Sequence, residues 1–300
     1  MKILLFGKNG QVGWELQRSL APLGELVALG SSGEALPSDF NAPDRLAQTV
    51  REVQPDVIVN AAAYTAVDKA ESDVEAAHRI NAQAPGVLAQ AAQACGAWLV
   101  HYSTDYVFDG HGATPWREGD ATGPLNVYGA TKLEGEQRVA QACSRHLIFR
   151  TSWVYGARGG NFARTMLRLA QERDRLSVVN DQFGAPTGAR LLADITAQVI
   201  PTVLGQPNLA GLYHLAAAGE TTWHGYARYV LAFAQSRGLA LKATSDSVDA
   251  VSSAAFVTPA RRPGNSRLDT RALCAAFALS LPDWRVGVDQ MLGEVLDGSG

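Results

Sequence analysis

A short apolar run, Ile3-Leu4-Leu5-Phe6, leads directly into Gly7-Lys8-Asn9-Gly10-Gln11-Val12-Gly13, after which Val12, Leu16 and Leu20 recur at helical spacing. A buried strand, a glycine-rich turn and a helix start within twenty residues predict the first βα unit of a doubly wound parallel sheet. Each glycine has its own use there: a tight turn, close approach of backbone to a pyrophosphate, and close packing of helix on strand. The free N–H groups and positive dipole end of the helix suit phosphates. The spacing is G-x-x-G-x-x-G rather than G-x-G-x-x-G, so a plain glycine turn is the competing reading. The apolar strand just before it favours a dinucleotide held by Gly7, Gly10, Gln11 and Val12.

Further along, a second strand at 26–29 ends in Gly30-Ser31-Ser32. Sites that prefer NAD often carry Asp or Glu at this point for the ribose 2′-hydroxyl. Gly30 repels no 2′-phosphate, which leans toward NADPH, with NADH also accepted; no arginine stands beside it to strengthen the lean. Asp39 reads either as a turn residue or as a neighbour of the adenine edge, with Phe40 packing on the ring. Asn41 is a candidate cap for a helix opened by Pro43 and running to about 53. A third buried strand at 56–60 runs into Ala61-Ala62-Ala63-Tyr64-Thr65, where small side chains let a ligand approach the backbone. In an open α/β sheet the crevice lies at such carboxyl ends.

The pattern then predicts a long helix over about 72–94 with Asn81 in its middle, and a strand at 98–102 that ends in Ser103-Thr104-Asp105. Hydroxyls and a carboxylate at that end are groups a site in this fold would use. A loop over 109–124 precedes Asn126-Val127-Tyr128-Gly129-Ala130-Thr131-Lys132. On a helix, Tyr128 and Lys132 share one face, and a fixed ammonium favours phenolate and so lowers the tyrosine pKa. That makes Tyr128 a candidate proton donor. With a strand at 147–151, the β–α alternation reads as six repeats by residue 156.

Beyond Gly156 the alternation loosens into helices near 162–172 and 189–203, strands at 177–179 and 211–215, a helix starting near Trp223 and two short helices in the tail. The expected division is a dinucleotide-binding domain over 1–155, to which about 188–222 returns, and a mainly substrate-binding lobe over 156–300. Arg261, Arg262 and Arg267 are either phosphate contacts or solvated surface charges. A hydrophobic content of 47% supports a real core, and a net charge of −3 argues against nucleic acid or membrane as the main partner. Cys95, Cys143 and Cys274 have neither disulfide-framework nor metal spacing. No signal-peptide pattern or long apolar span appears, so a cytoplasmic protein is expected.

Taken together, six strings resemble the extended short-chain dehydrogenase/reductase family, and within it the reductases of 4-keto nucleotide sugars. They are the glycine run 7–13, Asn60 to Asp68, Ser103-Thr104-Asp105-Tyr106-Val107-Phe108-Asp109-Gly110, Tyr128 to Lys132, Arg150 to Gly156, and Arg262-Pro263-Gly264-Asn265-Ser266. The third is the most specific, and the resemblance covers essentially the whole chain. It implies hydride transfer from NADPH to C4 of dTDP-4-dehydro-β-L-rhamnose, in nucleotide-sugar biosynthesis for rhamnose-containing polysaccharides. It further implies that Tyr128 protonates the C4 oxygen, that Lys132 holds the nicotinamide ribose, and that Thr104 bonds the carbonyl oxygen. Ala62, Ala63, Tyr64 and Thr65 would line the cofactor, and Asp105 and Trp153 the sugar. Some relatives are metal-linked dimers; here Glu15 is present, but Arg190 stands where they carry a carboxylate, which puts Mg²⁺ in doubt and leaves a homodimer open.

Two competing readings are a sugar-nucleotide 4-epimerase or dehydratase, and a non-catalytic regulatory subunit like the methionine adenosyltransferase partner. Gly30 and the Ser103–Asp105 string speak against the first. An intact set of Thr104, Tyr128 and Lys132 speaks against the second.

Overall fold

The computed structural model describes residues 1–33 and 35–297. Six strands form one parallel sheet: β1 (Lys2–Phe6), β2 (Glu25–Leu29), β3 (Val57–Asn60), β4 (Trp98–Thr104), β5 (His146–Thr151) and β6 (Gly211–His214). Their spatial order is β6-β5-β4-β3-β1-β2. The order reverses between β1 and β3, the switch point at which ligand crevices open in this architecture.

The strands alternate between two cores because successive side chains point to opposite faces. Ile3, Leu5, Val100 and Tyr102 meet Leu16 and Leu20 of the Gln11–Leu20 helix and Leu192, Ile195 and Val199 of the Ala189–Gly205 helix. Leu4, Phe6, Ile58 and Leu99 meet Leu46, Val50, Leu88 and Val139 on the other face. Helices thus cover both sides, and the sheet is doubly wound. A third core, around Met166, Leu167, Tyr226, Val230, Trp284 and Leu292, joins the helices Phe162–Glu172, Trp223–Ser236 and Trp284–Asp297 into a second lobe.

Three local expectations are corrected. Only five sheet strands precede residue 156; the sixth, β6, pairs with β5 after an excursion through the second lobe. The chain leaves the sheet at Trp153, whose backbone is left-handed (φ 48°), and Val154–Tyr155 pairs with Thr187–Gly188 instead. Asn41 caps nothing: its backbone and side-chain N–H groups both donate to Asp39 Oδ1, at 2.9 and 3.1 Å, closing an Asx turn. A 3-10 turn at Pro43–Arg45 follows, and the α-helix starts at Leu46.

The stretch expected as one helix over 72–94 carries a π-helical turn, Arg79–Gln83, between Val74–His78 and Ala84–Cys95. Pro85 has no N–H to offer the Asn81 carbonyl four residues earlier, and widening the turn resolves this. The freed carbonyl is pressed against the neighbouring Val127–Ala142 helix at Gly135, where an added Cβ would lie 2.1 Å from Asn81 O. No helix among the described residues is long and apolar enough to cross a membrane.

Under β4 and β5, Glu136 and Arg150 form a buried two-pronged ion pair (Nε–Oε1 2.9 Å, Nη2–Oε2 2.7 Å), each side chain at most 5% exposed. Arg150 also lies 4.9 Å over the Phe108 ring. Removing one partner strands the other charge in the core. Glu136→Ala is expected to cost about 3–5 kcal/mol, read as a shift of the urea unfolding midpoint at unchanged m-value.

Candidate active site

The glycine turn presses on the segment after β3. A Cβ at Gly7 would meet Ala62 N at 2.7 Å, and one at Gly13 would meet Gly7 O at 2.0 Å. The crevice wall is therefore bare backbone at the switch point, the surface a pyrophosphate needs. Gln11 and Val12 begin the helix beside it, and Gln11 Oε1 is buried without a partner. Ala63 and Thr65 are exposed on the facing segment, and Tyr64 is tied down on both sides of its peptide by Asn81. Asn81 Oδ1 accepts from Tyr64 N at 2.8 Å, and Nδ2 donates to Tyr64 O at 3.1 Å. Phe40 differs from expectation: it is buried edge-on against Phe6 at 5.6 Å, so its ring is a core group rather than a platform for adenine.

The Val127–Ala142 helix brings Tyr128 and Lys132 to the carboxyl end of β4. Its N-cap is Asn126, whose Oδ1 accepts from Gly129 N at 2.8 Å. Gly129 is obligatory, because a Cβ there would lie 2.2 Å from Tyr106 O. Thr104 ends β4 and caps the next turn, accepting from Tyr106 N at 3.2 Å and donating to Asp105 Oδ1 at 3.2 Å.

Packing around the hydroxyl of Tyr128 pushes its pKa up to about 12, while a hydrogen bond with Thr104 pulls it back and Asp105 adds to the rise. Lys132 is not among the groups acting on it. Its Nζ donates instead to Tyr102 O at 2.6 Å and lies 3.4 Å from His101 Nε2. The ammonium is bonded to a strand carbonyl rather than to the phenol. Burial lowers Lys132 to about 8, against an opposing pull from Glu136.

His101 had no place in the sequence reading. It pairs laterally with Asn60 across β3 and β4, and both are fully buried. Asn60 Oδ1 accepts from Ala62 N at 3.1 Å, which turns Nδ2 toward His101 Nδ1, also at 3.1 Å. That pattern assigns the ring proton to Nε2, facing Lys132. Burial and the nearby lysine keep the imidazole neutral, far below its ordinary range. Asn81 was also missed in its role: it reaches Thr131 Oγ1 at 3.3 Å and so joins the Tyr64 segment to the Tyr128 helix. Its position in the middle of a helix that also carries Gln83, Gln90 and Gln93 gives it no distinguishing sequence signal.

Several buried polar atoms at the cleft make no hydrogen bond within the chain: Gln11 Oε1, Ser103 Oγ, Asp105 Oδ2, Thr151 Oγ1 and Ser152 Oγ. Buried polar groups are ordinarily paired, and these lie at the carboxyl ends of β1, β4 and β5. With the bare glycine turn, they fit a polar dinucleotide and its substrate. Trp153 is half-buried at the end of β5, its indole stacked on Trp223 at 3.7 Å and 15°. Arg262 is committed to Asp68 (2.7 and 3.2 Å) and Arg267 to Glu220, with Arg261 left exposed.

Arg190 Nη1 donates to Glu294 Oε1 at 2.9 Å, and Glu15 is taken up by Arg18. Among the described residues no group of three or more His, Cys, Asp or Glu is placed to hold a metal.

Burial pushes the Asp105 carboxyl up to about 7, against the pull of the Ser266 and Thr104 hydroxyls. The folded chain thus prefers the protonated acid, and ionising it costs stability as pH rises from about 4 to 7. Asp105→Asn removes that cost. The variant is expected to be more stable than the parent by up to about 4 kcal/mol above pH 7, with the difference vanishing near pH 4. Thermal unfolding across that range reads the effect.

The RmlD substrate binding domain family matches residues 1–296. The dTDP-4-dehydrorhamnose reductase of Shigella flexneri is 58% identical over 295 residues, 98% of each chain. Among solved structures, the dTDP-4-dehydrorhamnose reductase of Clostridium acetobutylicum superposes with a TM-score of 0.86 at 34% identity, covering 100% of this chain and 99% of that one. The Bacillus anthracis reductase, solved in complex with NADP, gives 0.85 at 34% identity and covers 99% of each chain. Sequence and fold agree along the whole length, and this chain belongs to the dTDP-4-dehydrorhamnose reductase family of oxidoreductases.

Proposed function

We propose that this chain reduces the C4 ketone of dTDP-4-dehydro-β-L-rhamnose to dTDP-β-L-rhamnose, with NADPH as the preferred reductant. The observation that carries the reading is the convergence of Thr104, Tyr128 and Lys132 at the carboxyl end of β4, beside a glycine turn with no room for side chains. The glycine run, Gln11, Asp39 and the segment Ala62 to Thr65 are the residues that would hold the dinucleotide. Bound NADPH supplies the hydride.

A ketone that accepts hydride becomes an alkoxide and needs a proton at once. With a pKa near 12, Tyr128 is fully protonated at working pH and still a stronger acid than an alkoxide, so it donates downhill. The Thr104 hydroxyl bonds Tyr128 and is placed to steady the same oxygen as charge develops. Lys132 would hold the nicotinamide ribose when the cofactor is bound. Asp105 and Trp153 line the sugar. Support for the substrate comes from the named relatives, and for the cofactor from the NADP complex and from Gly30 after β2. We place this reaction in the cytoplasm, on the route that supplies activated rhamnose to surface polysaccharides.

Tyr128→Phe is expected to lose at least about a hundredfold in kcat while NADPH affinity stays near that of the parent; a near-normal rate would remove Tyr128 from this role. Lys132→Ala is expected to weaken both. Because Lys132 loses its proton near pH 8, kcat/KM is expected to fall on the alkaline side. The decisive assay follows NADPH absorbance with freshly generated dTDP-4-dehydro-L-rhamnose, with NADH in parallel. No oxidation there, with turnover of another keto sugar, would overturn the substrate assignment.

A further inference from the structure

Three non-glycine residues among those described have a left-handed backbone: Gln54, Trp153 and Ala278. Gln54 and Ala278 each end a helix, where that conformation is routine. Trp153 ends no helix. A bulky residue with positive φ persists only when its surroundings over-determine it, and such strain gathers at functional sites.

The surroundings are specific. One face of the indole meets Trp223, with ring centroids 3.7 Å apart and planes 15° from parallel. Gly184 lies so close that an added Cβ would be 2.7 Å from Cε2 and 3.0 Å from Nε1 of Trp153. The Trp153 carbonyl accepts from Thr187 N at 3.2 Å. Gly184 and Trp223 are brought together by one two-stranded ribbon, in which Phe183–Gly184 runs antiparallel to Thr221–Thr222 (Thr221 opposite Gly184) and Trp223 follows at once. Phe162 backs Trp223 at 4.7 Å, anchoring it in the second lobe.

We propose that this ribbon is a clamp in which Trp223 and Gly184 are positioning residues that hold the strained Trp153 indole as a wall of the sugar subsite. The proposal rests on the reading of Trp153 as a sugar-pocket residue. It adds that the wall is set from the second lobe, so that sugar affinity depends on residues that need not touch the sugar. Gly184 is then required for the space it leaves, and Trp223 for its flat face.

The test uses the full-length protein and the variants Trp223→Ala, Trp223→Phe and Gly184→Ala. Two stacked indoles give an exciton couplet in far-ultraviolet circular dichroism. The couplet is expected in the parent and is expected to be lost in both Trp223 variants. KM for the keto sugar is expected to rise about tenfold in Trp223→Ala and Gly184→Ala, with kcat and KM for NADPH changed less than about twofold. Trp223→Phe, which keeps a flat ring, is expected to recover most of the loss. A purely structural role would not split KM from kcat in this way. A couplet that survives in Trp223→Ala, or an unchanged sugar KM in folded Trp223→Ala and Gly184→Ala, overturns the clamp. A parent that shows the couplet without any keto-sugar turnover sinks the sugar assignment alone and leaves the stack established.

Discussion

Lys132 is the constraint to which the centre of the molecule is fitted. An ammonium at 2% exposure costs several kcal/mol unless it is bonded and balanced. One strong bond is available, to the Tyr102 carbonyl at the end of β4, and the negative charge of Glu136 lies one helical turn away. Glu136 is itself neutralised by Arg150, so its help is partial. His101, whose proton faces Nζ, adds no acceptor. The result is a lysine whose pKa burial lowers to about 8. Reaching Tyr102 O also demands that the helix sit close to the sheet. Gly129 against Tyr106 O, just past β4, is where a side chain is removed to allow that approach, and Gly135 against Asn81 O does the same toward the neighbouring π-helical turn.

The same packing explains the π-helical turn. Pro85 leaves the Asn81 carbonyl without its helical donor, and the widened turn aims the Asn81 carboxamide at Tyr64 and Thr131. A single carboxamide thereby fixes the Tyr64 segment relative to the Tyr128 helix. Widened turns of this kind recur at functional sites because they re-aim a side chain without ending the helix.

How much of this was legible depended on whether the cause was local. The turn after β1 was readable because glycine spacing between an apolar strand and an amphipathic helix has few other uses. The Tyr128–Lys132 helix was readable from its spacing, and its cap Asn126 stands directly before it. The Asn41 cap failed because Asn41 is turned back on Asp39, its backbone and side-chain N–H groups both donating to Asp39 Oδ1. Phe40 failed because burial against Phe6 is decided by the tertiary core. His101 was invisible: one histidine in an apolar strand has no period or motif, and its meaning comes only from the lateral pairing with Asn60. The sixth strand was miscounted because the chain crosses the second lobe before Gly211 pairs with Leu147.

Departures from ordinary packing gather at one rim, although His214 Nε2, Tyr226 OH and Trp284 Nε1 are also buried without a partner elsewhere. The left-handed tryptophan and the unpaired Ser103, Asp105, Thr151 and Ser152 atoms lie at the carboxyl ends of β4 and β5. Each unpaired buried polar group costs roughly 1–3 kcal/mol, and backbone strain at Trp153 a similar amount. Against a net folding stability of roughly 5–15 kcal/mol, that is a large share to concentrate at one rim. The two cores flanking the sheet can carry it because apolar side chains such as Ile3, Leu4, Leu5, Val57, Ile58, Leu99 and Val100 are wholly buried on its two faces. A ligand that supplied partners to those atoms would recover the deficit on binding.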